Sequence, residues 1–291
     1  MKGLFVGLNT IDIQFFVDKY PEVNRKILVK ENYVYTGGPA TNAAITFSNL
    51  GGEAALVTFV GNHFFTRFVI NELVTYNVKL YDAGFGLNTS PIISSIITSG
   101  NTGDRTILTF EPEQYKKKNN NYSLFRDICE DELKSKNIVL IDCFYIDGAV
   151  IIAREAKKLS IPVVIDGGSW KNGMENLLDF VDIAICSENF YPPGLQTSQE
   201  VFKYFSLRNC EKIAITRGEK EILYKDKNNY GKINVPKITP VDTMGAGDIF
   251  HGAFCFYYLK ENNFAEALKK AAAIATESCR YLGTRKWASK L

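Results

Sequence analysis

Six short runs of this chain are apolar almost without interruption: GLFVG (3–7), EAALVTFVG (53–61), NIVLID (137–142), IPVVID (161–166), DIAIC (182–186) and KIAIT (212–216). A strand with one wet face alternates apolar and polar residues, so a run with no polar face predicts a strand covered on both sides. Between the runs, PATNAAITFSNLG, FTRFVINELVTYN, DGAVIIAREAKKL and SQEVFKYFSL space their apolar residues as helices do. Two further helical stretches follow, roughly 246–260 and 264–281. This alternation predicts an α/β fold: a doubly wound, mainly parallel sheet with helices on both faces.

Two regions break the alternation. Residues 13–36 and 91–110 read as strands without helices, and SIITSGNTGDRTILTF is two alternating runs joined by a Gly-rich turn, a hairpin signal. Both predict a small second sheet inserted into the main one, with 1–291 forming a single domain. Exposed strand edges seek partners, so a homodimer through these two segments is expected.

Composition excludes several classes. Lys plus Arg total 34 against 32 for Asp plus Glu, a near-balance that argues against a nucleic-acid binder. The basic run Lys116-Lys117-Lys118, followed by Asn119 to Asn121, reads as a solvated loop. Six cysteines form no C-x-x-C pair and only His63 and His251 accompany them, which argues against structural zinc and fits a reducing cytoplasm. No run is long enough to span a membrane, and the apolar start is too short for a signal peptide and meets Asp12.

Ligands of an open parallel sheet sit at the carboxyl ends of its strands. There the chain places Asn9 and Asp12, Asp142, Asp166-Gly167-Gly168, Ser187-Glu188 and Thr216-Arg217-Gly218. A second concentration is VDTMGAGDIFHG (241–252), where glycines and carboxylates precede an apolar helix. First-turn N–H groups lack intrahelical partners and carry the positive end of the dipole. Gly245-Ala246-Gly247 thus suits a phosphate or oxyanion, and Asp248 beside it suits a base that takes a proton from an attacking hydroxyl. Thr243 or Asp248 as an ordinary N-cap is the other reading, and the residues alone leave both open. The pattern is neither a Walker A loop nor a G-x-G-x-x-G fingerprint.

VDTMGAGDIFHGAF matches every fixed position of the D-T-x-G-A-G-D signature of the ribokinase-like, pfkB-type carbohydrate kinases, and the chain resembles that family along its length. Gly37-Gly38-Pro39-Ala40-Thr41-Asn42, and the first-strand set Gly7, Asn9 and Asp12, are similar to two further family motifs. The resemblance implies an ATP- and Mg2+-dependent sugar kinase with Asp248 as base and the Gly245, Ala246 and Gly247 backbone stabilising the transferred phosphoryl group. It implies Asp12, Asn9, Gly37, Gly38 and Asn42 as the sugar site, and Ser187, Thr216 and Gly218, with Gly247, as the nucleotide site. Asp242 would organise the loop near a monovalent cation, the small sheet would act as a lid, and the Ala-rich helix over 271–283 would flank the adenine.

Two departures bear on cations. The family's N-x-x-E motif is replaced by Ser187-Glu188-Asn189-Phe190, which leaves the magnesium ligands unassigned. The tail TRKWASKL after Gly283 differs from members with a potassium loop and argues against potassium activation. GLNTIDIQFFVDKYP and SGNTGDRTILTF look similar to ketohexokinase and fructokinase-like members, and DCFYIDGA, VVIDGG and CSENF to kinases of modified ketohexoses such as sulfofructose. These point to a ketose, fructose or a derivative, phosphorylated on a primary hydroxyl, with Arg105 or Arg25 reading an anionic substituent or simply solvated. A nucleoside kinase of the adenosine type is the alternative, kept open by Phe15 and Phe16, followed by a catalytically silent sugar or nucleotide sensor.

Overall fold

The computed structural model describes residues 1–29, 31–100, 105–112 and 122–290. In chain order the strands are β1 (Lys2–Val6), β2 (Thr10–Val17), β3 (Glu31–Gly37), β4 (Glu53–Thr58), β5 (Val78–Asp82), β6 (Ile92–Ser99) and β7 (Arg105–Phe110). They continue as β8 (Ile138–Ile141), β9 (Val163–Gly167), β10 (Ile183–Ser187), β11 (Lys212–Arg217), β12 (Lys220–Asp226) and β13 (Asn229–Ile233). The helices are α1 (Pro39–Asn49), α2 (Thr66–Thr75), α3 (Ser123–Asp131), α4 (Ile146–Lys158), α5 (Glu175–Leu178), α6 (Ser198–Ser206), α7 (Ala246–Glu261) and α8 (Phe264–Ser278).

All six apolar runs are strands, and they pair in parallel in the order β11-β10-β9-β8-β1-β4. Side chains alternate across the sheet, so β1 sends Leu4 and Val6 into one layer with α3, α4, α5 and α6. Phe5 enters the other layer, with α1, α2, α7 and α8. Both faces are dry, which is why these strands carry no polar alternation. The edges differ: β5 adds in parallel beyond β4, and the β12–β13 hairpin pairs antiparallel beyond β11.

The two segments without helices form a separate sheet of order β3-β2-β6-β7 among the described residues, with β2 parallel to β6 and antiparallel to β3. The β2 ladder begins at Thr10, so Asp12 lies within a strand opposite Tyr35 and Ser94 rather than in a turn. Asp12 and Gln14 share one face and are buried. On the other face Val34, Leu108 and Phe110 are exposed. Residues 101–104 of the predicted turn and the Lys116–Asn121 run lie outside the described residues. All six cysteines are buried free thiols. Among the described residues no helix is long and apolar enough to cross a membrane.

The helices α1 and α7 cross closely because residue 252 is glycine. A Cβ there would stand 2.3 Å from the Ala43 carbonyl oxygen and 2.8 Å from Thr46 Cβ. Backbone cannot yield as a flexible side chain does, so Gly252→Val is expected to cost about 1–3 kcal/mol or more. Thermal denaturation checks this; an unchanged midpoint would mean that the crossing tolerates a side chain.

Candidate active site

The GAG turn opens α7 without a side-chain cap. Gly245 stands at the N-cap in the left-handed region (φ +67), where an added Cβ would lie 2.8 Å from Thr284 Cγ2. Neither capping candidate caps. Thr243 Oγ1 accepts from Arg105 of β7 at 2.9 Å, and the Asp248 carboxylate accepts from Asn42 Nδ2 at 2.7 Å. A Cβ at Gly247 would meet nothing within 4 Å, so the helix start is open at this residue. Asp242, buried just upstream, accepts from Met244 N at 2.9 Å, Gly283 N at 2.9 Å and Gln14 Nε2 at 3.0 Å. Gln14 and Arg105 thereby tie the loop to the small sheet.

Asp248 is half-buried. Its carboxyl is pushed up to about 7, chiefly by desolvation and then by the nearby Asp166 charge, while the Asn42 hydrogen bond and His251 pull it down. His251 Nδ1 lies 2.7 Å from the Gly247 carbonyl oxygen and 3.5 Å from Asp166 Oδ2, and Nε2 lies 3.3 Å from the Ile185 carbonyl oxygen. The first turn of α7 is therefore fastened to β9 and β10.

Across from α7 stand the residues of β1–β2 and β3–α1. Asp12 accepts from the Thr10 hydroxyl at 2.7 Å, and burial lifts its carboxyl to about 6. A Cβ on Gly37 would come within 1.9 Å of Asp12 Oδ2, so a side chain here would push the Asp12 carboxylate from its place. Gly38 is the N-cap of α1. Asn9 is fully buried and donates to Thr41 Oγ1 at 3.2 Å, while its Oδ1 has no partner among the described residues. Asp142, at the end of β8, holds both turns by accepting from Leu8 N at 2.7 Å and Ala40 N at 3.1 Å.

Three contributors carry no sequence signal of their own: Arg285, Glu72 and Gln14. Arg285 lies beyond α8, past the turn at Gly283, and donates to Asn42 Oδ1 at 2.8 Å and Glu72 Oε1 at 3.3 Å. Periodicity marks Glu72 only as one more polar residue of α2, and Gln14 only as a strand residue.

The predicted nucleotide residues occupy the far end of the same sheet edge. Ser187 and Thr216 are register neighbours in β10 and β11, and Gly218 is in the turn to β12. No hydrogen bond joins these three to Asp12, Asn42 or Asp248 among the described residues. Beside the turn is a cleft of about 400 Å³ lined by Arg217, Lys220 and Lys237 with Glu219 and Glu221. A second cavity of about 280 Å³ lies at the opposite end of the sheet, near Lys157, Asp182 and Lys212, away from these groups. Where the N-x-x-E motif would place its glutamate, Phe190 is buried against Phe205. Glu188 pairs with Lys220 at 3.3 Å. Among the described residues no cluster of three or more His, Cys, Asp or Glu could hold a metal ion.

The pfkB family carbohydrate kinase profile matches residues 2–290, and the chain belongs to that family. It is 24% identical to the ribokinase of Lactococcus lactis, covering 98% of this chain and 93% of that protein. It is 23% identical to the deoxyribokinase of Salmonella typhi (96% and 93%) and 20% to the ketohexokinase of Mus musculus (96% and 96%). Among solved structures, ribokinase from Giardia lamblia superposes with a TM-score of 0.82 at 17% identity, covering 99% of this chain and 98% of that one. Ribokinase of Arabidopsis thaliana complexed with ribose and ATP gives 0.71 at 21% identity (99% and 97%). The fold is ribokinase-like, and the protein is a phosphotransferase of the sugar and nucleoside kinase type.

The raised carboxyl makes a stability prediction. Asp248 titrates at about 7 in the fold against an ordinary 3.8, so the stability linked to its proton is present below 3.8 and lost as pH rises through about 7. Asp248→Asn should therefore stabilise the fold at about pH 8, by ~1–3 kcal/mol, with the gain shrinking as the pH is lowered toward about 4. Melting curves across that range test it; a gain independent of pH would contradict the burial of a charge.

Proposed function

We propose that this chain transfers the γ-phosphoryl group of ATP to a primary hydroxyl of a small ketose, fructose or a derivative of it. The observation that carries this reading is the Asp248 carboxylate, held by Asn42 at 2.7 Å beside an uncapped helix start that is open at Gly247. In the reading, Asp248 takes the hydroxyl proton as oxygen attacks phosphorus. The backbone of Gly245, Ala246 and Gly247 faces the charge of the transferring group. Asp12, Asn9, Gly37, Gly38 and Asn42 bind the sugar; a buried carboxylate accepts from hydroxyls, and the unpartnered Asn9 Oδ1 is a further acceptor. Ser187, Thr216, Gly218 and Gly247 bind the nucleotide.

Magnesium, when bound, neutralises phosphate charge. Mg2+ is commonly held by one or two carboxylates plus phosphates and water, and in this reading it would arrive with the nucleotide. The small sheet acts as the lid, its Gln14 and Arg105 contacts to the Asp242–Thr243 loop being the links that closure would use. The chain is cytoplasmic in this reading and takes neither nucleic acid nor membrane as partner.

Relatives named ribokinase and deoxyribokinase favour a second reading, a pentose as acceptor, which shares the furanose ring and primary hydroxyl. An ATP-consumption screen over fructose, sulfonated and phosphorylated ketoses, ribose, deoxyribose and nucleosides separates the readings. Turnover with nucleosides alone would overturn the sugar assignment.

Two further outcomes are expected. Asp248→Asn should lower kcat by about 10²–10⁴-fold with sugar and ATP binding kept, and wild-type kcat/KM should rise with pH up to about 7 and then level. Near-normal turnover of the variant would remove Asp248 from the mechanism. The exposed Val34, Leu108 and Phe110 on one face of the small sheet, with β7 at its edge among the described residues, fit a second copy of this chain. Light scattering at micromolar concentration should give a dimer mass, and a monomer would count against it.

A further inference from the structure

Asn42 has two ends, and both are taken. Its Nδ2 donates to Asp248 Oδ2 at 2.7 Å, and its Oδ1 accepts from Arg285 at 2.8 Å. An amide can turn over and exchange oxygen for nitrogen, but a guanidinium only donates. With Arg285 in place, the oxygen has to face the arginine, and the N–H is left to face the carboxylate. Without it, the flipped amide would set a carbonyl oxygen against Asp248, which an ionised carboxylate rejects and a protonated one accepts.

Arg285 is itself held from several sides. Nε donates to Glu72 Oε1 at 3.3 Å, one terminal nitrogen donates to Thr284 Oγ1 at 2.9 Å, and the other donates to the Thr36 carbonyl. Its guanidinium lies 5.8 Å from the Tyr35 ring centre and 5.5 Å from that of Tyr76. The side chain is 9% exposed and Glu72 is 15% exposed. Glu72 Oε2 also accepts the Thr36 N–H at 2.5 Å, so the pair grips both backbone polar groups of the residue that leads into Gly37. Within the segment carrying Arg285, the buried Trp287 indole donates to the Thr284 carbonyl at 3.0 Å.

We infer that Arg285 is a positioning residue for phosphoryl transfer, acting through Asn42 to keep an amide N–H on the Asp248 carboxylate and so hold that base ionised and aimed. The inference rests on the reading of Asp248 as base. The other groups facing Asp248 are Asp166 from β9, Asp12 from β2 and His251 from its own helix. Asp166 and Asp12 oppose ionisation and His251 favours it, which leaves the Asn42 amide as the hydrogen bond on the ionised form.

Arg285→Gln and Arg285→Lys, each alone and combined with Asn42→Ala, test this in the full chain. Loss of a hydrogen bond to a charged group corresponds to about a 10- to 100-fold fall, so Arg285→Gln should lower kcat by that factor. The acid limb of its pH–rate profile should move to higher pH, with KM for ATP little changed. Arg285→Lys, which keeps a cation that only donates, should recover part of the rate and return the limb toward wild type. On the Asn42→Ala background Arg285→Gln should add little further loss, because its effect passes through the missing amide.

A fall in kcat and melting temperature with the acid limb unmoved would make Arg285 merely structural and overturn the inference, as would full additivity with Asn42→Ala. If Arg285→Gln fails to fold, the Lys variant supplies the same comparison. Asp248→Asn run in parallel separates the two levels. Its near-normal turnover would defeat the base reading and this inference with it, whereas its collapse beside an unmoved Arg285 profile defeats this inference alone.

Discussion

The hydrogen bond from Asn42 to Asp248 is the contact on which the rest of the site depends. It joins the first helix of the chain to the seventh across a crossing that the missing Cβ of Gly252 makes close enough. Everything to its amino side, from Asp12 to Gly38, arrives with α1. The uncapped helix start, Asp242 and the open space over Gly247 arrive with α7. Asp142 and the Asp166–His251 contact then fasten the two halves to the strand ends beneath them.

Electrostatically the site is a set of acids kept from full solvation. Asp12, Asp142 and Asp248 all have their carboxyl groups lifted, and in each case burial is the largest cause. They are not equivalent. Asp142 spends its oxygens on the backbone N–H groups of Leu8, Ala40 and Phe144, which suits a structural tie. Among the described residues Asp248 receives one hydrogen bond, from the Asn42 side chain, and stays half-buried, which suits a group that exchanges protons. In the proposed reading the same residue type serves as scaffold or as reactive group according to how many donors surround it.

Much of this could be read from the residues, and the exceptions have physical reasons. The six central strands were legible because both of their faces are dry, and the hairpins of the small sheet because they alternate around turn residues. The edge strand β5 and the β12–β13 hairpin were not, since VKLYD and NYGKI are partly exposed and carry no continuous apolar run. The GAG turn announced a helix start, but only the structure decides that neither Thr243 nor Asp248 caps it. Asp12 was marked by following the first strand, but its role, like that of Asn42, stood out through family resemblance alone, because an amide on a helix is unremarkable locally. Arg285 and Glu72 were illegible: Arg285 meets Thr36, Asn42 and Glu72 across more than two hundred residues of chain, and nothing in either one's neighbourhood encodes that meeting.

The position of Arg285 beyond the last long helix also bears on how the protein comes into being. A nascent chain can lay down β1, α1 and the central strands early, yet it holds no completed catalytic corner until the turn at Gly283 and the residues after it have emerged. Contacts of such sequence separation form late and slowly. Trp287 is buried in this last piece and bonded back to Thr284. If Arg285 positions the base as proposed, a partly made chain would be folded in its centre and silent in its chemistry, and the order of synthesis would withhold phosphoryl transfer until the chain can bury what it has made.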